Sequence, residues 1–98
     1  MIEIKAGYLL EMNPNLYGYE NHPSYFIIIP LQNGLNLFGI EQYYDENLKM
    51  CFKIDQWQCN IKELKEIEVL KIYGLCDCGR LTDIRNRELL WENVEVLA

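Results

Sequence analysis

Histidine is almost missing from this sequence. His22 stands alone before Pro23, with no serine or cysteine next to it that it could activate as a nucleophile. No His-Glu-x-x-His and no glycine-rich phosphate loop occur, so two common signatures of hydrolytic and phosphoryl chemistry are lacking. Carboxylates are plentiful, but nothing in their spacing marks two of them as a buried, facing pair. The expectation is a chain that binds rather than catalyses, with no cofactor.

Cations are scarce as well. Nine lysines and arginines face fifteen acidic residues, for a net charge of −6. That field disfavours direct contact with a nucleic-acid backbone, which needs clustered cations to release counterions. It suits a protein partner that itself binds nucleic acid. No apolar run approaches the roughly 18 residues needed to cross a bilayer, and MIEIKAG lacks a signal peptide's charged start and apolar middle. A cytoplasmic protein with no membrane partner is expected. No repeat, low-complexity tract or Ser/Gly linker interrupts the 98 residues, which fit one domain.

Four cysteines are present, spaced Cys51-x7-Cys59-x16-Cys76-x-Cys78, without a Cys-x-x-Cys. In a reducing compartment these read as free thiols. Cys-x-Cys alone chelates one tetrahedral ion poorly, so no metal is expected.

Half of the residues are apolar, including seven tyrosines, three phenylalanines and two tryptophans, ample material for a core. GYLLEM (Gly7 to Met12) reads as a strand ended by the turn chemistry of Asn13-Pro14-Asn15. A polar loop with Tyr17 and Tyr19 follows. YFIII (Tyr25 to Ile29) is a β-branched and aromatic run of the kind buried on both faces. Asn33-Gly34 then joins it to LNLFGI in a tight hairpin. Pro30 should lie at a bulge or where pairing ends, and Gly39 at a second kink. In KMCFKI, Met50, Phe52 and Ile54 alternate with Lys49, Cys51 and Lys53, as in a half-buried strand. Asn60 with Glu63 forms a capping box for a short helix, IKELKEI. EVLKIY returns to strand, and residues 84–96 fit either helix or strand. The pattern predicts a mainly β fold, with one short helix: a small, strongly bent antiparallel sheet or partly open SH3-like barrel or roll. By strand parity, its core contains Leu9, Ile27, Ile29, Leu37, Met50, Phe52, Ile54, Leu70, Ile72 and Trp91.

Two groups of residues offer themselves for binding. Glu41, Asp45 and Glu46 flank Tyr43-Tyr44 at a turn, which presents charge and aromatic anchors together. Arg80, Arg85 and Arg87 lie within eight positions of an otherwise acidic chain. With Trp57 or the paired tyrosines they offer a nucleotide both stacking and phosphate contacts. The same arginines have Asp77, Asp83 and Glu88 nearby as ion-pair partners.

Lys5-Ala6-Gly7-Tyr8, Tyr44-Asp45-Glu46-Asn47-Leu48, Leu70-Lys71-Ile72-Tyr73-Gly74 and the closing Arg85-x-Arg87-Glu88-Leu89-Leu90-Trp91-Glu92 occur in that order. Together they resemble small uncharacterised proteins of phages and prophages from low-GC Gram-positive bacteria. The chain departs from them in a longer segment from Cys51 to Ile67 and in its cysteines. The resemblance implies an origin and carries no activity. It frames three roles: an anti-CRISPR-like inhibitor of a host defence protein, a sponge for a nucleotide signal, or an assembly module of the phage.

Overall fold

Leu9–Met12 (β1), Ser24–Leu31 (β2), Gly34–Tyr44 (β3), Met50–Asn60 (β4), Val69–Cys76 (β5) and Arg87–Glu92 (β6) are the strands of a computed structural model that describes residues 1–13 and 24–97. The remainder of the turn begun at Asn13, and the loop carrying Tyr17, Tyr19 and His22, lie outside the described residues. All six strands pair antiparallel in one sheet of order β4-β3-β2-β1-β5-β6, which is not closed. The mainly β architecture is therefore the one expected. The ambiguous tail resolves into β6 followed by a short helix, Val94–Leu97 (α1).

The β2–β3 hairpin forms where Asn33-Gly34 predicts it, with a shift of one residue in how it turns. Leu31 pairs with Gly34, so Gln32 and Asn33 form the loop and only Gly34, at φ +109°, has a positive φ. Asn33 acts through its polar groups instead, its side chain accepting from Asn36 Nδ2 (2.7 Å) and its carbonyl from Asn60 Nδ2 (3.0 Å). Pro30 is tolerated because the N–H of Ile28 already points toward the β1 side, at the carbonyl of Tyr8. Two residues on, β1 offers nothing further to pair with, so the missing proline N–H costs no ladder bond.

Cross-strand partners share a face. The row Trp91–Ile72–Leu10–Phe26 crosses four strands and ends on Gly39, and Met12, Ile28, Leu37 and Val69 lie on the same side. Leu10, Met12, Phe26, Ile28, Leu37, Val69 and Ile72, with Ile4, are the main buried cluster, against which Leu35, Cys59, Ile61, Leu64 and Trp91 pack. Leu9 and Ile27 are fully buried on the opposite face, so YFIII is covered on both sides as its composition predicts. Parity alone places only the Leu9 and Ile27 side of β1 and β2 in the core. Ile29 and Leu70 are half-buried.

The connection from β4 to β5 explains what covers the main cluster. It runs from one edge of the sheet to the far side of β1, four strand spacings or about 19 Å. The segment 61–68 would span only about 12 Å as an α-helix. Ile61–Glu63 and Glu66–Glu68 instead form two 3-10 turns separated by extended residues, and Ile61 and Leu64 pack onto the cluster. The cap expected at Asn60 exists, its Oδ1 accepting from the N–H of Lys62 at 2.9 Å. The expected helix does not continue from it, because the span demands a longer chain.

Met50, Phe52 and Ile54 require a correction. Their alternation is real, since they pair with Tyr44, Gln42 and Ile40 on one face. But β2 matches β3 only as far as Gly39, so beyond it, among the described residues, β3 pairs with β4 alone as a two-stranded ribbon. Met50 and Ile54 are exposed and Phe52 is half-exposed.

Candidate functional site

The projecting ribbon gathers Glu41, Tyr43, Tyr44, Asp45 and Glu46 at one end of the molecule and distributes them over two faces. Glu41 and Tyr43 share a face with Cys51 and Lys53. The Lys53 ammonium lies 3.3 Å from Glu41 and 5.4 Å from the centre of the Tyr43 ring. Such an exposed ion pair contributes about 0–1 kcal/mol, so its carboxylate remains available to a partner. Tyr44 lies on the other face with Met50, Phe52, Ile54 and Ile40, and is 65% exposed. That face is apolar apart from Gln42, which stands opposite Phe52. Asp55 and Glu46 add acid around it.

The turn at the tip is built by Asp45. Its Oδ1 accepts from the N–H groups of Asn47 and Lys49, each at 2.9 Å, while its backbone closes onto Lys49 and Leu48. These bonds, that from Lys49 foremost, hold the Asp45 carboxyl below the usual carboxylate range. Asp45 thus shapes the turn that displays its neighbours. At the apex, Leu48 has φ +59° and is 80% exposed. A left-handed conformation costs a β-carbon-bearing residue about 1–2 kcal/mol. A large apolar side chain there gains no burial from the fold in return. No pattern in the sequence singles out Leu48, and alternation assigns its neighbours Met50, Phe52 and Ile54 to the core.

The second group is not brought together. Trp57 lies on β4, whereas the three arginines belong to the loop and strand beyond β5, four to five spacings across the sheet. Trp57 Nε1 donates to Asn36 Oδ1 at 3.0 Å, which ties the indole to a fully buried asparagine. Arg87 is a structural residue. Its guanidinium donates to the carbonyls of Asp83 (2.5 Å), Gly7 (2.7 Å), Gly74 (2.9 Å), Leu81 (2.8 Å) and Arg80 (3.4 Å). Arg80 and Arg85 are exposed on the loop that wraps it.

That loop also juxtaposes Cys76, Cys78 and Asp83. Their ligand atoms lie within 4.8 Å of one another. The two sulfurs are 2.7 Å apart, and Cys78 Sγ is 3.3 Å from Asp83 Oδ2. Their hydrogen bond pulls the Cys76 thiol down and pushes the Cys78 thiol up. Asp83 is held well below the usual carboxylate range by the N–H groups of Arg85 (2.7 Å) and Asn86 (3.1 Å) and by the Asn86 side chain (3.0 Å). Cysteine spacing alone gives no sign of Asp83, because the turn between them, not the sequence interval, sets the distance.

Among the described residues no helix is long and apolar enough to cross a membrane. Compared with protein-family models, curated protein sequences and solved structures, the chain matches none.

Proposed function

We propose that this chain is a non-catalytic binding protein that docks the tip of its β3–β4 ribbon onto a cationic surface of a protein partner. The observation that carries this reading is Leu48, a strained, exposed leucine at the apex of a ribbon whose adjoining face presents Tyr44, Met50, Phe52 and Ile54 to solvent. Strain held at an exposed position points to function, and contiguous exposed apolar surface with an acidic surround has the composition of an interface. Glu41, Asp45, Glu46 and Asp55 outnumber Lys49 and Lys53 along the ribbon, in a chain of net charge −6. That balance favours a surface built to meet phosphates. The resemblance to small phage and prophage proteins makes a nucleic-acid-binding defence protein of the bacterial host the partner class, with inhibition by occupation of its nucleic-acid surface.

The test is capture of host proteins on the immobilised full chain, with mass spectrometry of what is retained and competition by duplex DNA. Retention of one cationic, nucleic-acid-binding protein, displaced by DNA and by salt, is expected. Tyr44→Ser with Leu48→Ser should abolish it, and Glu41→Lys with Glu46→Lys should weaken it chiefly through slower association. Retention unchanged in both folded double variants would overturn the reading.

A further inference from the structure

The β5–β6 loop, at the other end of the sheet from the ribbon, holds a donor set that the binding reading leaves unused. We propose that Cys76, Cys78 and Asp83 form an exchangeable site for one thiophilic divalent metal ion, bound by two thiolates and one carboxylate with a fourth position open to solvent.

The loop is built around these three side chains. Cys76 closes β5, and its carbonyl accepts from the N–H of Gly79 at 3.0 Å, so the two cysteines are the first and third residues of one turn. Gly79, at φ +73°, completes it. The N–H of Asp77 reaches the carbonyl of Asn86 (3.2 Å), which brings the two arms of the loop together. Arg87 then fixes the far arm through the carbonyls of Arg80, Leu81 and Asp83. Both sulfurs and the carboxylate are thus placed by backbone that is itself anchored.

Asp83 selects metal over a simple dithiol. Its Oδ1 is taken by two backbone amides, and Oδ2, which also accepts from Asn86 Nδ2 at 3.0 Å, is thereby oriented toward Cys78. This is the outer-shell support that ligating carboxylates receive in metal sites. A disulfide between the cysteines would have no use for a third donor. Charge agrees as well. Two thiolates and a carboxylate carry three negative charges, and Arg87 stands opposite Cys76 in the β5–β6 pairing. A divalent ion with that guanidinium neutralises the set. Sulfur ligands select a soft or borderline ion, for which zinc and cadmium are suitable probes. Metal–sulfur bonds of about 2.3 Å at tetrahedral angles require the sulfurs about 3.7 Å apart. Side-chain rotation supplies that opening, since Cys78 is exposed and Cys76 half-buried.

The test uses the full chain, reduced with a phosphine so that no buffer thiol competes, and titrated with Cd(II). A thiolate-to-cadmium charge-transfer absorption that saturates at one equivalent is expected, with Zn(II) displacing the ion. Cys51→Ser with Cys59→Ser should retain the band, while Cys76→Ser or Cys78→Ser should lose it. Asp83→Asn keeps the Oδ1 acceptor for the two amides and removes the ligand oxygen together with its bond from Asn86. It should lower affinity at least tenfold with the far-ultraviolet circular dichroism unchanged, whereas Asn86→Ala, which removes that bond alone, should keep the affinity. The proposal is overturned by an absent band, by a band that survives loss of Cys76 or Cys78, or by equal affinity in Asp83→Asn. Conversion of Cys76 and Cys78 to a disulfide by glutathione disulfide, with no metal uptake by the reduced chain, would also overturn it.

Discussion

Arg87 Nη1 donates to the carbonyl of Gly7, eighty positions earlier in the chain, at 2.7 Å. One guanidinium thereby joins β6, the β5–β6 loop and the turn before β1. Hydrogen bonds from a charged donor contribute about 1.5–3 kcal/mol each when a partner would otherwise be stranded. Lysine carries the charge but cannot reach carbonyls on three sides. Arg87→Lys is therefore expected to cost about 2–3 kcal/mol, read as a lower urea midpoint with an unchanged slope. An unchanged midpoint would return Arg87 to the group of candidate ligand contacts.

Leu48→Gly separates strain from function. Relief of the left-handed leucine should raise stability by about 1 kcal/mol, less whatever flexibility glycine adds to the unfolded chain. Partner binding should fall in the same variant. Loss of stability on this change would mean that Leu48 is buried or braced.

Leu10→Ala and Phe52→Ala distinguish the core from the ribbon. Leu10 is fully buried in the row that crosses from Trp91 to Phe26, and its truncation should cost about 2–5 kcal/mol. Phe52 is half-exposed on the ribbon opposite Gln42, so its truncation should cost about 1 kcal/mol, the scale of a cross-strand contact. Equal losses of melting temperature would show that something covers the ribbon's apolar face.

Tyr25 contributes to the alkaline limit, as does Tyr73, whose phenol burial also pushes up. The Tyr25 phenol is pushed up to about 12, first by burial and then by the charge and hydrogen bond of Glu11, its partner across β1 and β2. A raised folded value means that the neutral phenol is favoured by folding. Its stabilising contribution is complete below pH 10, the ordinary tyrosine value, and is lost as pH rises toward 12. Denaturant midpoints from pH 9 to 12 should fall over that window, and Tyr25→Phe should flatten the fall.

Strand identity is largely legible in the sequence itself. β-branched runs and the Asn33-Gly34 turn are local signals, and local backbone preference suffices to place them. Gly74, which reads as a strand stop after EVLKIY, instead lies inside β5, which runs on to Cys76. Arg80, Arg85 and Arg87 show the opposite case. Their proximity in sequence suggests a shared task, yet Arg87 turns inward to carbonyls while its two neighbours face solvent. Side-chain direction on either side of a loop is set by what the loop encloses.

Alternation in Met50, Phe52 and Ile54 correctly determined that these side chains share a face, because the pleat has a period of two. Whether that face is covered depended on where the pairing of β2 with β3 ends, which no pattern inside β4 encodes. Likewise, sequence specified a cap at Asn60, while the distance from the sheet edge to β5 decided that the chain beyond it must stay extended. Composition established an acidic, aromatic, mainly β chain. Only the tertiary structure decided which of its apolar residues are core and which are surface, and which carboxylate stands beside Cys76 and Cys78, because burial and coordination depend on neighbours far apart in the chain.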